Sequence, residues 1–559
     1  MLVRWWGPAL AVAAAILLAP SLLGGTLISH SSPQNLTWAG QFAELFRAGV
    51  LYPRWLPASF EGLGSPAFYF YPPIAFWIDA LLSVATLDAL SVSYRLSFSS
   101  LILLWASGAA MYVWLRAETT SARVALLGAL AYVAAPYHLL DHYYRGAYAE
   151  FAAYAVLPLL ALAVRWTADG RRFGPILLAL SYAALPMSHL PTALLISLTM
   201  LPMYVLYRGW RLGTARPAAA FFARSAVAGA LGLGLASIYL LPALTLQDWI
   251  PSDTFWGGYY AIDRWFLLTP WRWFEPLDMM TIIASAAAAY AVAAVGVLVA
   301  VSRNPSSPLL RSEAAFWAIA CLVCVALIAG VVPWFWQLPF VAKVQFPWRL
   351  MIVVEFAGIT MLCLMPWPVR SRAAFYVLVV ALVALIPGLV QMGAGIRQRA
   401  VASSTVSEVP LDLKQFLPAR YPQKPDGSYA ELSLEPVQDL PKISCMPPAR
   451  LCRATDQALG ELLVEIDTEG QTAVTLRRFA FPYWRLEPAL SIAATEPLQL
   501  VSFTAPSGSH SYRLRHAAVA AEKIGWTLSA GSLVLLLAWA VAQATRLRGS
   551  ERRLFAAPP

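Results

Sequence analysis

Five ionisable side chains lie close together in a short segment between two apolar stretches. The segment runs from Pro136 to Glu150 and contains His138, Asp141, His142, Arg145 and Glu150. Charged groups are costly in lipid, so spanning a bilayer does not explain them. Asp141 and Glu150 are candidates for a general base or for metal ligands, and the two histidines are their neighbours in sequence. The set can hold a divalent cation, Mg²⁺ or Mn²⁺, or it can form a solvated loop that pairs with Arg145.

The composition indicates a multi-pass α-helical membrane protein. Of the 559 residues, 59% are hydrophobic and only 13% are charged, and apolar runs of membrane-crossing length recur along the chain. This composition excludes a secreted protein and a soluble cytosolic enzyme. The net charge is +10, but the arginines concentrate in short connections between apolar runs. That distribution is a topology signal of membrane proteins and does not indicate a nucleic-acid-binding patch.

The arginines also predict the topology. Basic residues after the last apolar run, Trp526–Ala544, place the C-terminus in the cytoplasm. Alternation back along the chain gives about twelve spans, a cytoplasmic N-terminus and an external position for Pro136–Glu150. A further crossing by Tyr71–Leu87 would force the N-terminus outside, against Arg4, so we expect that stretch to lie at the interface or to re-enter.

The C-terminal part of the chain follows a different pattern. Residues 401–522 contain alternating polar and apolar runs separated by Asp-Gly, Glu-Gly and Pro-Ser-Gly turns. This pattern predicts an external β-domain of sandwich type, anchored by a last helix and a basic cytoplasmic tail in 523–559. Residues 1–396 are then the membrane module, with a long first external loop over 30–94.

The five cysteines fall into two environments. Cys321, Cys324 and Cys363 lie in apolar spans, where a cysteine usually packs as a small hydrophobic residue. Cys445 and Cys452 flank Met-Pro-Pro-Ala-Arg-Leu in the polar region. If that region lies outside the membrane, a short-loop disulfide between them is expected.

Several short motifs occur in an informative order. A first helix and a long loop precede Tyr94-Arg-Leu, Ala-Tyr-Val-Ala-Ala-Pro136 and Arg145-Gly-Ala-Tyr-Ala-Glu150. This order resembles the GT-C superfamily of polyprenyl-phosphate-dependent glycosyltransferases. Further motifs are Tyr52-Pro-Arg-Trp55, Gln345-Phe-Pro-Trp-Arg349 and Phe481-Pro-Tyr-Trp484. With them the chain looks most like the bacterial multi-pass proteins named as related to pyruvoyl-tetrahydropterin synthase, or YfhO-like.

The resemblance implies particular site residues. Relatives are expected to carry an acid after a histidine in the first external loop, whereas here His30 is followed by Ser31. A serine cannot take a proton from a sugar hydroxyl unaided. The resemblance also implies a phosphate-binding role for Arg349 with Lys343 nearby, although either side chain can instead reach the membrane interface. His189 is either a site residue or the cap of a helix end.

The resemblance together with these residues predicts a lipid-linked-sugar glycosyltransferase of the bacterial inner membrane, with Asp141 and Glu150 as catalytic groups and a periplasmic β-domain. The predicted substrate-binding residues are His30, Ser31, His138, His142, Arg145, His189, Lys343 and Arg349. The expected partners are a polyprenyl-phosphate-sugar donor, an envelope glycan or lipid acceptor and the bilayer, with no nucleic acid. The alternative is a non-catalytic scaffold or accessory subunit of a polysaccharide assembly system, because the first-loop acid is missing. A transporter is disfavoured, since the spans carry few charges apart from Glu355 and no internal repeat stands out.

Overall fold

The computed structural model describes residues 5–119, 121–256, 258–269, 277–303, 308–365, 371–405, 412–422 and 440–555. Parts of two predicted segments, 423–439 at the start of the β-domain and 556–559 in the basic tail, lie outside these ranges. The helices are α1 (Trp6–Leu17), α2 (Ala19–Gly24), α3 (Ser32–Arg47), α4 (Ser59–Gly62), α5 (Ala67–Phe70), α6 (Ile74–Ala85), α7 (Val92–Glu118), α8 (Ala122–Val133), α9 (Pro136–Leu140), α10 (Tyr148–Ala168), α11 (Gly174–Ser188), α12 (Leu190–Leu198), α13 (Met200–Arg211), α14 (Ala215–Thr245), α15 (Leu277–Ser302), α16 (Pro308–Ala329), α17 (Pro333–Trp336), α18 (Met351–Leu364), α19 (Arg372–Thr405) and α20 (Ala520–Phe555).

Within the described ranges, ten stretches of helix are long and apolar enough to cross a membrane. They are Val92–Glu118, Ala122–Arg145, Tyr148–Ala168, Leu190–Arg211, Ala215–Thr245, Met279–Ser302, Arg311–Ala329, Pro347–Leu364, Arg372–Ser403 and Ala520–Gln543. The sequence prediction of about twelve spans counted these together with two shorter apolar helices, α1 and α11. The polytopic helical architecture predicted from the sequence is therefore confirmed.

The first loop is folded against the helices. Trp38 and Phe42 of α3 and Phe76 of α6 are buried in one aromatic cluster. Helix α6 has 12 residues, too few for a bilayer core that needs about 20. Its buried Asp79 accepts a hydrogen bond from Arg95 of α7 over 2.9 Å. An ion pair inside the protein thus fixes the segment that the sequence predicted to lie at the interface or to re-enter.

The C-terminal domain is a sandwich of two four-stranded antiparallel sheets, ordered β1-β4-β7-β6 and β2-β3-β8-β5. Side chains alternate between core and surface, as in β3, where Leu462, Val464 and Ile466 are buried. This is the sandwich that the sequence predicted. The strands are β1 (Ile443–Met446), β2 (Leu451–Asp456), β3 (Leu462–Thr468), β4 (Thr472–Phe479), β5 (Trp484–Glu487), β6 (Ala493–Ala494), β7 (Leu500–Ala505) and β8 (Gly508–His516).

The sandwich packs directly on the first loop. The backbone N–H of Phe479 donates to the carbonyl of Leu63 over 2.9 Å, and the guanidinium of Arg478 donates to the carbonyl of Gly62 over 2.6 Å. Trp55, Phe60, Leu63 and Tyr69 share a hydrophobic core with the strands. The first loop and the β-domain therefore form one packed unit.

The segment Pro136–Glu150 is a buried helical end and not a solvated loop. After α8, extended backbone at Ala135 leads into Pro136 at the start of α9, and a π-helical turn follows over Asp141–Arg145. Gly146 then takes a left-handed conformation, φ +61°, which ends the helix before α10 begins. All residues from Pro136 to Arg145 are buried. The segment is therefore not solvated, whereas the pairing of its carboxylates with Arg145 is present.

Candidate functional site

Glu150, in the first turn of α10, is the centre of a buried group of polar side chains. One of its carboxylate oxygens accepts a hydrogen bond from Arg145 over 2.8 Å, and the other accepts one from the Tyr137 hydroxyl over 2.6 Å. The same Arg145 nitrogen donates to Asp141 Oδ1 over 2.5 Å. The Glu150 carboxylate is fully buried. The π-helical turn and α10 thus bring both predicted catalytic acids onto one arginine.

Arg349 reaches this group from a separate part of the chain. It lies in a short 3-10 turn, Pro347–Leu350, just before α18, and only 7% of it is exposed. Its Nε lies 3.4 Å from Glu150 Oε2, and another guanidinium nitrogen donates to the carbonyl of Val344. We call Tyr137, Asp141, Arg145, Glu150 and Arg349 the Glu150 cluster.

Two atoms of the Glu150 cluster are buried without a hydrogen-bond partner among the described residues. They are Asp141 Oδ2 and Arg349 Nε. Arg349 Nε is close enough to Glu150 for an ion pair, but the two groups are not aligned for a hydrogen bond. Buried polar groups are normally satisfied, and exceptions of this kind often mark functional positions. The cluster thus offers one acceptor oxygen and one N–H donor.

The predicted histidine ligands turn away from the carboxylates. The His138 ring stacks on Tyr154 with centroids 3.7 Å apart, and its Nδ1 faces the carbonyl of Tyr132. His142 Nε2 lies 2.9 Å from the hydroxyl of Ser21. In the part of the chain that the structure describes, no group of three or more His, Cys, Asp or Glu side chains could hold a metal ion. The cation site predicted from Asp141 and the two histidines is therefore not formed.

The first loop docks onto the end of the π-helical turn. The backbone N–H groups of His30 and Ser31 donate to the carbonyls of Tyr144 and Arg145 over 3.1 and 3.0 Å. Close packing makes Gly146 necessary, because a Cβ there would lie 2.3 Å from Ser29 Oγ. Ser31 therefore lies at the cluster through its backbone, while the His30 side chain is exposed.

The remaining two predicted residues differ in their relation to the cluster. His189 precedes α12, where its Nδ1 lies 2.7 Å from Thr192 Oγ1 and 4.0 Å from Glu150 Oε2. It occupies the N-cap position of α12 without a capping hydrogen bond from its side chain, and it also faces the cluster. Lys343 is exposed and lies 4.9 Å from the centroid of the Trp256 ring. The structure does not bring Lys343 to Glu150 with Arg349.

Three residues of the site, Tyr71, Tyr137 and Glu355, were not among the site residues predicted from the sequence. Glu355 of α18 accepts hydrogen bonds from the backbone N–H of Tyr137 over 2.7 Å and from the Tyr154 hydroxyl over 2.8 Å. It thereby caps α9 from a neighbouring helix. Tyr71 is near Arg349 and Arg145, and burial raises its pKa to about 12, so its phenol stays protonated. The sequence signal for Glu355 was present, since an acid inside an apolar span requires a partner.

A second charged cluster joins the ends of four helices elsewhere in the molecule. Glu118 of α7 pairs with Arg165 of α10, whose Nε lies 3.3 Å from Asp169. Arg208 of α13 bridges Asp169 and Glu313 over 2.7 and 2.9 Å. We call these five residues the Glu118 cluster. Its side chains range from 2% exposed for Glu118 to 31% for Asp169.

The two cysteines of the polar region lie at the edge of the sandwich. A disulfide joins Cys445 of β1 to Cys452 of β2. It links the two sheets at the turn between these strands. The other three cysteines are free, and Cys321 and Cys324 are buried between helices.

Comparisons with known proteins identify the family. No curated protein matches the sequence. Among solved structures, ArnT from Cupriavidus metallidurans bound to undecaprenyl phosphate has 14% sequence identity and a TM-score of 0.32, covering 63% of this chain and 77% of that chain. Residues 68–393, more than half of the chain, match the model of the 6-pyruvoyl-tetrahydropterin synthase related domain, a membrane protein. The chain therefore belongs to the 6-pyruvoyl-tetrahydropterin synthase related family of membrane proteins.

Proposed function

We propose that this protein is a membrane glycosyltransferase that moves a sugar from a polyprenyl-phosphate carrier to an envelope glycan or lipid. The observation that carries the proposal is the pair of buried atoms without hydrogen-bond partners in the Glu150 cluster, Asp141 Oδ2 and Arg349 Nε. Sugar transfer from a lipid phosphate requires a base for the acceptor hydroxyl and positive charge for the departing phosphate. Asp141 and Arg349 have the chemistry for these two tasks.

In the proposed reaction, the residues of the Glu150 cluster have different roles. The acceptor hydroxyl gives its proton to Asp141 Oδ2, and its oxygen forms a bond to the anomeric carbon of the donor sugar. The bond between that carbon and the phosphate oxygen breaks, and the phosphate leaves with the electron pair. Arg349 stabilises the charge on the leaving phosphate. Arg145 and Glu150 position both groups through the ion pairs described above.

The proposed orientation places the Glu150 cluster on the periplasmic side of a bacterial inner membrane. It rests on the arginine-rich connections, which fall on the opposite side when the spans are counted back from the C-terminus. The β-domain then lies in the periplasm, with both termini in the cytoplasm. The donor would approach from the outer leaflet.

A second candidate is a scaffold that binds a lipid phosphate without turning it over. It is favoured by the pairing of Asp141 and Glu150 with one arginine, and by Ser31 at the position where relatives are expected to carry an acid. An ion-paired carboxylate is a weaker base than a free one. The two candidates share phosphate binding at Arg349 and differ in chemistry at Asp141.

Phosphate binding is tested with undecaprenyl phosphate as the probe. The full-length protein is purified in nanodiscs, and retained lipid is measured by native mass spectrometry. Arg349→Gln should reduce retention more than tenfold, since it removes a charge-assisted contact. Lys343→Gln is the matched control and should retain the lipid like wild type. Equal retention by the Arg349→Gln protein would contradict phosphate binding at this site.

Catalysis is tested in cells that lack the gene and express variants from a plasmid. If deletion changes the envelope glycans, Asp141→Asn should reproduce that change while keeping wild-type protein levels in the membrane. Asp141→Asn is nearly isosteric but cannot accept the proton. Wild-type glycans in the Asp141→Asn strain would favour the scaffold over the enzyme.

A further inference from the structure

A cavity lies between the first loop, the β-sandwich and the start of α20, away from the Glu150 cluster. Its volume is about 180 Å³, below the usual range for drug-sized ligands of about 300–1,000 Å³. It is therefore sized for one small ring. The aromatic and polar residues of its wall are Tyr52, Arg54, Trp55, Tyr69, Tyr483, His516 and Glu522.

Two motifs from distant parts of the sequence meet at this cavity, which is lined by all four residues of the first motif and by Tyr483 of the second. They are Tyr52-Pro-Arg-Trp55 of the first loop and Phe481-Pro-Tyr-Trp484 of the sandwich. The rings of Trp55 and Tyr483 lie 4.8 Å apart, centre to centre. The guanidinium of Arg54 lies 3.9 Å from the centroid of the Tyr52 ring. The proposed transfer reaction gives neither motif a role, although their side chains converge here.

Several residues that line the cavity have a side-chain polar atom that is buried without a hydrogen-bond partner in the described parts of the chain. These atoms are Arg54 Nη1, Trp55 Nε1, the Tyr483 hydroxyl and His516 Nε2. The side chains of Arg54, Trp55 and Tyr483 are all more than nine-tenths buried. Unpaired buried groups are costly, so a ligand rich in hydrogen-bonding groups would be favoured at this position.

The charges in the cavity wall cancel. Arg54 Nε pairs with Glu522 Oε1 over 2.9 Å, and a second Glu522 oxygen accepts from the backbone N–H of Val519 over 2.9 Å. Burial lowers the pKa of His516 to about 4, so its imidazole is neutral at neutral pH. The site therefore has no net charge to attract a phosphate or a carboxylate.

We infer that this cavity binds a neutral sugar ring, such as one unit of a glycan. Aromatic faces pack against the apolar C–H faces of a sugar, while N–H and O–H groups bind its hydroxyls. Arg54, Trp55 and Tyr483 supply the directional contacts, and the neutral wall excludes charged sugars. The inference goes beyond the proposed transfer reaction, because no residue of the Glu150 cluster lines this cavity.

The test uses the full-length protein in nanodiscs and single sugars as probes. D-glucose, D-galactose and N-acetyl-D-glucosamine are titrated separately by saturation-transfer NMR, with D-glucuronate and inorganic phosphate as charged probes. At least one neutral sugar should bind saturably. Tyr483→Phe, which removes one hydroxyl and keeps the ring, should weaken that binding about 3- to 10-fold. Tyr512→Phe, in β8 of the same sandwich and outside the cavity, should leave it unchanged.

Further variants separate this site from the proposed reaction. Trp55→Phe removes Nε1 and should also weaken binding, which keeps the test decisive if the Tyr483→Phe protein does not fold. Arg349→Gln should bind the neutral sugar like wild type, even where transfer is lost. Absence of saturable binding by all three neutral sugars would overturn the inference. So would stronger binding of phosphate or glucuronate, or wild-type affinity in both Tyr483→Phe and Trp55→Phe.

Discussion

The Glu150 cluster and the Glu118 cluster use the same residue types but differ in their access to water. In the Glu150 cluster the charged side chains are at most 10% exposed. In the Glu118 cluster, Arg165 is 21% and Asp169 is 31% exposed. Water screens the second network and not the first. The cost of breaking a pair should therefore differ between them.

The two clusters also differ in how they are assembled. Four members of the Glu150 cluster come from one helical end and the turn after it, Pro136–Glu150, and only Arg349 is distant. The Glu118 cluster takes residues from the ends of α7, α10, α13 and α16. A network across helix ends fixes the arrangement of the bundle. A network concentrated on one irregular helical end fixes a local geometry, which is what a reacting site requires.

The largest effect is expected for Glu150→Gln. The change leaves Arg145 and Arg349 buried with one carboxylate fewer, and removal of one partner from a buried pair costs about 3–5 kcal/mol. Denaturant unfolding in detergent micelles measures the loss. Glu44→Gln, at an exposed position of α3, is the control and should be neutral. If Glu150→Gln lowers the free energy of unfolding by less than about 1 kcal/mol, the two clusters do not differ in the cost of breaking an ion pair.

A smaller loss is expected for Gly146→Ala. The new Cβ would meet Ser29 Oγ at 2.3 Å, and the residue would keep a left-handed backbone at φ +61°. Strain of this kind costs about 1–3 kcal/mol. Hydrogen exchange should show faster opening of the first loop at His30 and Ser31. Gly229→Ala, in α14 with nothing within 4 Å of the new Cβ, should cause no such change.

Asp169→Asn tests the Glu118 cluster at its most exposed side chain. Asp169 shares Arg165 and Arg208 with the two buried glutamates, so each arginine keeps a partner. We expect a loss of only about 0.2–1 kcal/mol, since the group is partly exposed. The loss should shrink as salt is raised from low to physiological concentration. A loss as large as that of Glu150→Gln would show that exposure does not decide the cost.

The smallest effect on stability is expected for Ser31→Asp. Ser31 is the N-cap of α3, and its side chain makes no capping hydrogen bond. Aspartate is at least as good a cap as serine, so stability should change by less than about 0.5 kcal/mol. If the proposed enzyme lacks only the first-loop acid, glycan transfer should rise in cells that carry this variant. Unchanged transfer would show that Asp141 needs no acidic partner.

Much of the architecture could be predicted because its signals are local. Apolar runs long enough to cross a bilayer predicted the long helices. Alternation of polar and apolar residues predicted strands such as β3 and β4. The prediction of a solvated loop over Pro136–Glu150 was wrong, since polar residues next to a proline indicate a loop when their partners are unknown. Those partners include Glu355, whose contact with the backbone of Tyr137 spans two helices.

Part of the candidate site could be predicted because most of its residues are neighbours in the sequence. Asp141, Arg145 and Glu150 are neighbours in sequence and remain so in space, whereas Arg349 entered through a resemblance. The sequence could not show that His138 stacks on Tyr154, because ring stacking depends on the rotation between α9 and α10. It also could not show the aromatic cavity, whose walls are more than 400 residues apart in the chain.

Helix α18 has a mechanical consequence for this site. Arg349 lies just before it and Glu355 lies within it, and the residues from Met351 to Met361 are buried on all sides. A rigid helix transmits small displacements along its length, because its packed neighbours leave no room for independent side-chain movement. A slide or tilt of α18 would therefore shift the guanidinium facing Glu150 and the carboxylate that caps α9 in one step. The position of α18 thus determines both contacts together.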